Sequence, residues 1–147
     1  MWISGGTLNE PHWGHLAVRL ADGRVLVAGG GRYSAGAELY DPATGRWTST
    51  GSLRTRRLNH SATLLADGTV LVAGGSNSSG WLGSAELYDP SRGQWTRAAP
   101  MTTAREGASA TLLGDGRVLV ARGATRAQPS PPSSTTRPRA GGRRPAG

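Results

Sequence analysis

Short apolar runs separated by glycine-rich turns recur along the first 123 residues. The clearest run is VLVA, which stands at 70–73 and has copies at 25–28 and 118–121. Valine favours strands, and a strand that is apolar at consecutive positions needs cover on both of its faces. The pattern therefore predicts short strands in sheets that stack face to face.

Each run belongs to a longer repeat. HSATLLADGTVLVAGG at 60–75 matches HLAVRLADGRVLVAGG at 15–30 and ASATLLGDGRVLVARG at 108–123, and AELYDPATGRW at 37–47 matches AELYDPSRGQW at 85–95. The spacing between copies is nearly constant. Four strands per unit are predicted, in the middle unit A at 60–65, B at 69–74, C at 84–88 and D around Trp95. The Asp67-Gly68 pair between A and B suits a two-residue type I′ turn.

A glycine pair ends strand B, and an aromatic residue recurs in each of the next two strands. Glycine leaves space for a bulky group against the backbone, and the recurring Tyr and Trp rings are the groups expected there. These structural repeat positions are Gly29, Gly30, Tyr40, Trp47, Gly74, Gly75, Tyr88 and Trp95.

Four-stranded units of this length with Gly-Gly, then Tyr, then Trp resemble the kelch repeat. The resemblance covers residues 2–123 and lacks the Gly-His and Trp-Asp signatures of WD repeats. It implies an all-β fold, an incomplete kelch-type β-propeller with two full four-stranded blades, partial blades and a disordered C-terminal tail. The expected segments are 1–14 (strand D, with Trp2, and loop of a preceding blade), 15–48 (blade one), 49–96 (loop and blade two), 97–123 (loop and the A–B hairpin of blade three) and 124–147 (tail).

The tail differs in composition from the repeats. Residues 124–147 hold 5 of the 17 arginines, 5 of the 9 prolines and no Asp or Glu, which predicts disorder. Read in a shifted frame, the codons of residues 132–143 can spell AELYDPATGRWT, the sequence of residues 37–48. We therefore hypothesise that a frameshift near Ala121 replaced strands C and D of the third blade, which the coding DNA tests.

Loops at one face of the propeller are the expected recognition surface. The A–B and C–D connections are tight turns, whereas the B–C and D–A connections are longer and vary between units. Candidate ligand contacts are the residues there that break the repeat, namely Trp81, Asn77, Arg54, Arg56, His12 and Trp13. An exposed Trp stacks on a sugar or anchors a peptide, and Arg binds a carboxylate. Burial of Trp81 over a blade edge is an equal alternative.

Other polar residues recur at repeat spacing and are expected to be structural. Arg57 has a counterpart in Arg105, and His15 and His60 are expected to be packed and hydrogen-bonded rather than metal ligands. Turn and strand roles are expected for the recurring acids Glu38, Glu86, Asp41 and Asp89. No catalytic set converges, and no metal or cofactor is predicted.

The function expected from this resemblance is non-catalytic, with the parent protein binding a protein or glycan. One alternative is a fragment of a propeller enzyme similar to galactose oxidase, whose Tyr–Cys cross-link the chain cannot form without Cys. The other is non-specific nucleic-acid binding through the basic tail, without specific recognition.

No membrane span is predicted. Self-association through exposed blade faces is expected. Bacterial kelch proteins of this kind are often secreted or surface-attached, which leaves the compartment open.

Overall fold

The computed structural model describes residues 1–31, 34–124 and 134–136, and every regular element within them is a β-strand. In chain order the strands are β1 Leu16–Arg19, β2 Val25–Ala28, β3 Ala37–Asp41, β4 Arg46–Ser49, β5 Ser61–Leu64, β6 Val70–Ala73, β7 Ser76–Asn77, β8 Gly80–Trp81, β9 Ala85–Asp89, β10 Gln94–Ala98, β11 Ser109–Leu112, β12 Val118–Ala121 and β13 Ser134–Thr136. Within these ranges there is no helix with the length and apolar character needed to cross a membrane.

Three antiparallel sheets follow one another along the chain. They have the strand orders β1-β2-β3-β4, β5-β6-β9-β10 and β11-β12-β13. Strand β5 contacts both β1 and β11, so the first strands of neighbouring sheets lie side by side and the later strands extend outward. This radial order is that of propeller blades. The predicted all-β fold, an incomplete propeller with two four-stranded blades, is confirmed.

The hydrophobic cores lie between consecutive blades. Val70 and Val72 of β6 share one buried cluster with residues of the first blade, whereas Leu71 and Ala73 share a second cluster with Val118 of the third blade. Successive side chains of a strand point to opposite faces. All four residues of β6 are buried, which confirms that strand B is covered on both faces.

The A–B turns differ from the predicted two-residue form. Gly68 has a φ of 85°, but Asp67 does not have a positive φ. The Gly68 N–H donates to the Leu65 oxygen at 3.0 Å, and the Leu65 N–H donates to the Thr69 oxygen at 2.8 Å. This is a three-residue loop, a type I turn followed by a left-handed glycine. The type I′ prediction was wrong, because this loop spares Asp67 a positive φ and lets its carboxylate accept the Thr69 N–H at 2.9 Å.

The glycine pairs that end strand B make room for backbone, and at Gly29 also for the His60 imidazole, but not for the Tyr and Trp rings. Gly74 and Gly75 have φ values of 68° and 86°. A Cβ at Gly74 would lie 2.5 Å from the Arg105 carbonyl oxygen, and one at Gly75 would lie 2.5 Å from the Leu58 carbonyl oxygen. Two D–A loops therefore pass directly against the end of strand B, one leading into the same blade and one into the next. The prediction that the Tyr and Trp rings fill this space was wrong.

The recurring aromatic rings pack against each other instead. Tyr88 and Trp95 face across β9 and β10 with their centroids 4.9 Å apart, and Tyr40 and Trp47 repeat the pair at 5.0 Å. The Trp95 Nε1–H donates to the Gly51 oxygen at 2.6 Å. Each ring pair thus holds the D–A loop that enters its own blade.

Residues 1–14 contain no strand. Trp2 is fully exposed, and the segment runs past the first blade, where the Trp47 Nε1–H donates to the Gly5 oxygen at 2.8 Å. The predicted strand D with Trp2 was wrong, because such a strand forms by pairing with a neighbouring strand C and none lies beside this segment among the described residues.

The predicted disordered tail lies mostly outside the described residues, in 125–133 and 137–147. Its described residues are Ala124, which forms an isolated bridge with Glu106, and Ser134–Thr136. Ser134–Thr136 form β13 and pair with β12, in the position that strand C takes in the other blades. The prediction was therefore wrong for these three residues, whose backbone groups bond to the otherwise open edge of β12.

Candidate functional site

The two faces of the propeller each carry a cleft, and the clefts differ in character. The face with the A–B and C–D turns has a cleft of about 310 Å³ bordered by Asp22, Asp67 and Asp89. Each of these carboxylates accepts the backbone N–H two residues further on. Within the described ranges no three potential metal-ligating side chains come together. The carboxylates on this face therefore stabilise the turns to which they belong.

The opposite face, formed by B–C and D–A loops, has a cleft of about 560 Å³. We call it the loop cleft. Two of the predicted contact residues, Trp13 and Arg56, line it together. Among the described residues, the lining is Glu10, Pro11, Trp13, Ser34, Ala35, Gly36, Ser52 and Arg56.

Trp13 is presented to the loop cleft because its neighbour His12 is anchored in the protein. His12 is buried, with Nδ1 2.7 Å from the Gly29 oxygen and Nε2 3.2 Å from Glu38 Oε1. Both partners are acceptors, so the two bonds coexist only when the imidazole carries both protons. Trp13 is 60% exposed. The prediction of His12 as a ligand contact is corrected: its side chain is an internal anchor.

Glu38 fixes the same loop from beneath. Its carboxylate accepts the backbone N–H of Asn9 at 3.1 Å, the Asn9 amide at 2.7 Å and the backbone N–H of Glu10 at 3.0 Å. Burial acts to raise the pKa of Glu38, but these hydrogen bonds outweigh it and hold the pKa below its ordinary value. The predicted structural role of this repeated glutamate is confirmed.

The second blade uses the same design with a different side chain. Arg57 is fully buried and donates to the Gly74 and Ser84 oxygens and to Glu86 Oε2, the last at 2.9 Å. Glu86 also accepts the backbone N–H groups of residues 54 and 55. Arg57 is therefore structural, as predicted, while the exposed Arg56 lines the loop cleft.

The remaining predicted contacts lie outside the lining of the loop cleft. Asn77 donates through Nδ2 to the Arg56 oxygen at 3.1 Å and accepts the Ser79 N–H at 2.9 Å. It therefore braces the backbone of Arg56. Trp81 is half-buried in β8, which pairs with β7, so this B–C connection is a small hairpin. Arg54 is exposed, and its Nε lies 3.3 Å from the Trp95 oxygen.

His60 is packed but is not hydrogen-bonded as predicted. It is 3% exposed, and neither ring nitrogen has a hydrogen-bond partner among the described residues. Its Cε1 would lie 2.8 Å from a Cβ at Gly29. Burial, reinforced by the positive charge of Arg57, lowers the pKa of His60 to about 4. The Nδ1 of the half-buried His15 is also without a partner in this part of the chain, and burial lowers its pKa too.

The D–A loops are also linked to one another by backbone hydrogen bonds. The Asn59 N–H donates to the Gly14 oxygen at 3.0 Å, and the Gly107 N–H donates to the Asn59 oxygen at 2.8 Å. All three residues have positive φ, between 52° and 67°. We call this series the inner hydrogen-bond chain, and it fixes the spacing of neighbouring loops.

Comparison with known families identifies the repeat. The family model of the kelch motif matches residues 56–102, which span the end of the D–A loop and all four main strands of the second blade. Residues 56–102 are a kelch repeat. Its first and third sheets carry the same A–B hairpin beside the matched repeat. No curated protein matches the chain.

Sequence reasoning missed most of the loop cleft. Glu10 and Ser52 were not singled out, nor was the stretch 34–36. A signal was present for Glu10, because it replaces the threonines found at equivalent positions 55 and 103. The residues at 34–36 line the cleft because the B–C loop passes beside it. Alignment of the repeats does not define the path of that loop.

Proposed function

We propose that this kelch segment binds protein, and that the loop cleft receives an extended peptide segment of the partner. The kelch motif supports a binding role, since such repeats generally act as non-catalytic binding modules. The observation that carries the proposal is the convergence of an exposed indole, a guanidinium and a carboxylate on one cleft. The proposal assigns no catalytic role to any residue.

The chemistry of the cleft indicates the kind of peptide. The Trp13 indole offers an apolar surface, and indole and guanidinium groups dominate the energetics of many protein interfaces. Arg56 and Glu10 form no ion pair with any residue in the described ranges. Arg56 is thus available for a carboxylate. The ligand is therefore a segment with an apolar side chain next to an acidic one.

The cleft is also rigidly supported, which lowers the ordering entropy of binding. His12 fixes the backbone beside Trp13, and Asn77 fixes the backbone of Arg56. Only the outward side chains remain to be ordered by a ligand.

Peptide-display selection on the full chain, followed by affinity measurement for the selected peptides, tests this proposal. We expect Trp13→Ala and Arg56→Ala each to weaken binding by about tenfold or more. The control Arg92→Ala removes an exposed arginine from the opposite face and leaves affinity unchanged. Arg56→Glu should be rescued by replacing the acidic peptide residue with lysine. Binding that is equal in all variants would refute the cleft, and selective binding of glycans over peptides would refute the ligand class.

A further inference from the structure

The third blade contains half of a structural unit that is complete in the second. Arg105 occupies the position of Arg57 and is 4% exposed. Its Nη1 donates to the Arg122 oxygen at 3.1 Å, just as Arg57 Nη1 donates to the Gly74 oxygen. Its Nε has no partner among the described residues, which is equally true of Arg57 Nε. The difference is that Arg57 pairs with Glu86, whereas no carboxylate in these ranges pairs with Arg105.

The missing partner can be located from strand register. Glu38 lies opposite Val27, and Glu86 lies opposite Val72. In the third sheet the residue opposite Val120 is Ser134. Residues 124–147 contain no Asp or Glu, so no acidic side chain of this segment can take that place. A buried guanidinium without a carboxylate is costly, and this position therefore favours an acidic group.

An aromatic side chain is missing two positions further along the same strand. Tyr88 lies opposite Val70, and the equivalent residue opposite Val118 is Thr136. Tyr88 and Trp95 belong to the core between the first two blades, whereas the cluster between the second and third blades has no aromatic member among the described residues. Positions i and i+2 of a strand share a face, so the carboxylate and the ring would enter the structure together.

We propose that the edge of β12 is a binding site for an extended strand from another polypeptide that carries a glutamate followed two residues later by an aromatic residue. The strand replaces β13 and pairs with β12, its carboxylate binds Arg105, and its ring packs against the second blade. Affinity comes from backbone pairing, and specificity comes from alternate side chains. This site shares no residue with the loop cleft.

The probe is a synthetic peptide with the chain's own strand-C sequence, AELYDPATGRW, matched to AQLYDPATGRW, which differs only in the carboxylate. We expect the glutamate peptide to bind the full chain about tenfold more tightly than the glutamine peptide. In Arg105→Gln this ratio should fall to about one. Amide hydrogen exchange should show the protection at Val118–Ala121. The control Arg92→Ala, which removes an exposed arginine outside both the loop cleft and this edge, should leave both affinities unchanged.

Absence of binding, a ratio that Arg105→Gln does not change, or protection away from β12 would overturn the proposal. A second variant keeps the test decisive where Arg105→Gln does not fold. Ser134→Glu supplies the carboxylate within the chain, so it should raise the melting temperature and lower the affinity for the glutamate peptide about tenfold. Thr135 is the equivalent of Leu87, one position further along the strand and on its opposite face. Thr135→Glu should therefore change neither the melting temperature nor the affinity for the glutamate peptide in this way. Equal behaviour of these two variants would also overturn the proposal.

Discussion

The second and third blades place the same arginine in the same position and differ in what surrounds it. Arg57 reaches two carbonyl oxygens, a hydroxyl and the Glu86 carboxylate. Arg105 reaches one carbonyl oxygen within the part of the chain that the structure describes. The D–A loop thus supplies the guanidinium, and strand C supplies the glutamate that binds it. A blade that lacks its own strand C therefore has the buried arginine without the glutamate that pairs with it.

The first blade shows that the anchor tolerates a change of residue type. His12 stands where Arg57 stands, and it bonds to the Gly29 oxygen and to Glu38 in the same way. What the two complete blades share is the glutamate of strand C, which accepts two backbone N–H groups of the loop in each case. The glutamate, not the arginine, is therefore the constant part of the anchor.

Removing the anchor of the second blade is the largest expected effect. Arg57→Ala should lower the free energy of unfolding by about 3–5 kcal/mol, because it leaves Glu86 buried without its ion-pair partner. Denaturant unfolding of the full chain measures the change. Arg105→Ala is the matched control and should change stability by about 1 kcal/mol or less, since one hydrogen bond is lost and an uncompensated buried charge is removed. Equal losses in the two variants would contradict the comparison.

A pH effect of roughly 3 kcal/mol is expected from the buried histidine of the second blade. The pKa of His60 falls from its ordinary 6.5 to about 4 on folding. The unfolded chain therefore binds more protons between these values. The contribution is fully present above pH 6.5 and is lost progressively as the pH falls toward 4.

Unfolding at pH 7 and pH 5 should show about 2 kcal/mol of this contribution, because the loss is complete only below the folded-state pKa of about 4. His60→Ala introduces the residue that the third blade has at position 108 and should flatten the pH dependence. His15→Gln, at the half-buried equivalent position, should preserve most of it. A wild-type chain whose stability is the same at both pH values would refute the assignment.

The smallest expected effects compare the ends of the B strands. Gly74 and Arg122 occupy equivalent positions, with φ values of 68° and 58°. Arg122→Gly should stabilise the chain by about 1 kcal/mol, because it relieves a left-handed conformation that is unfavourable for any side chain. Gly74→Ala should destabilise it by about 2 kcal/mol, because its Cβ would meet the Arg105 carbonyl oxygen. Thermal unfolding measures both, and a destabilising Arg122→Gly would contradict the argument.

The strands and their stacking were predictable from the sequence because they depend on local pattern. The VLVA run required cover on both faces, and β6 has it. The prediction of the turn at Asp67 was wrong because Asp-Gly fits both a two-residue and a three-residue hairpin loop. The choice between them depends on the hydrogen bond that the Asp67 carboxylate accepts from the Thr69 N–H. The role of Gly74 was mistaken because its neighbour in space, Arg105, belongs to the loop of the next blade and is distant in sequence.

The loop cleft was predictable only in part. Departure from the repeat drew attention to Trp13 and Arg56, which the structure brings to one cleft, and their role as ligand contacts stays a prediction. The same rule selected His12, yet its side chain is buried. Sequence shows that a residue is unusual for its position, but the direction of its side chain depends on the carbonyl and carboxylate groups of another strand. The frameshift hypothesis concerns the coding DNA and remains a prediction.

The inner hydrogen-bond chain explains how repeats of unequal length share one geometry. The interval from Asn59 to Gly107 is longer than the interval from Gly14 to Asn59, yet both hydrogen bonds between successive loops have lengths of 2.8–3.0 Å. The B–C connection of the second blade, which contains the β7–β8 hairpin, is the longer one, and Ser76 of this hairpin pairs with Leu58 beside Asn59. A change of length at that connection therefore leaves the hydrogen bonds between neighbouring D–A loops in place, so the outer surface can vary while the spacing of the blades is kept.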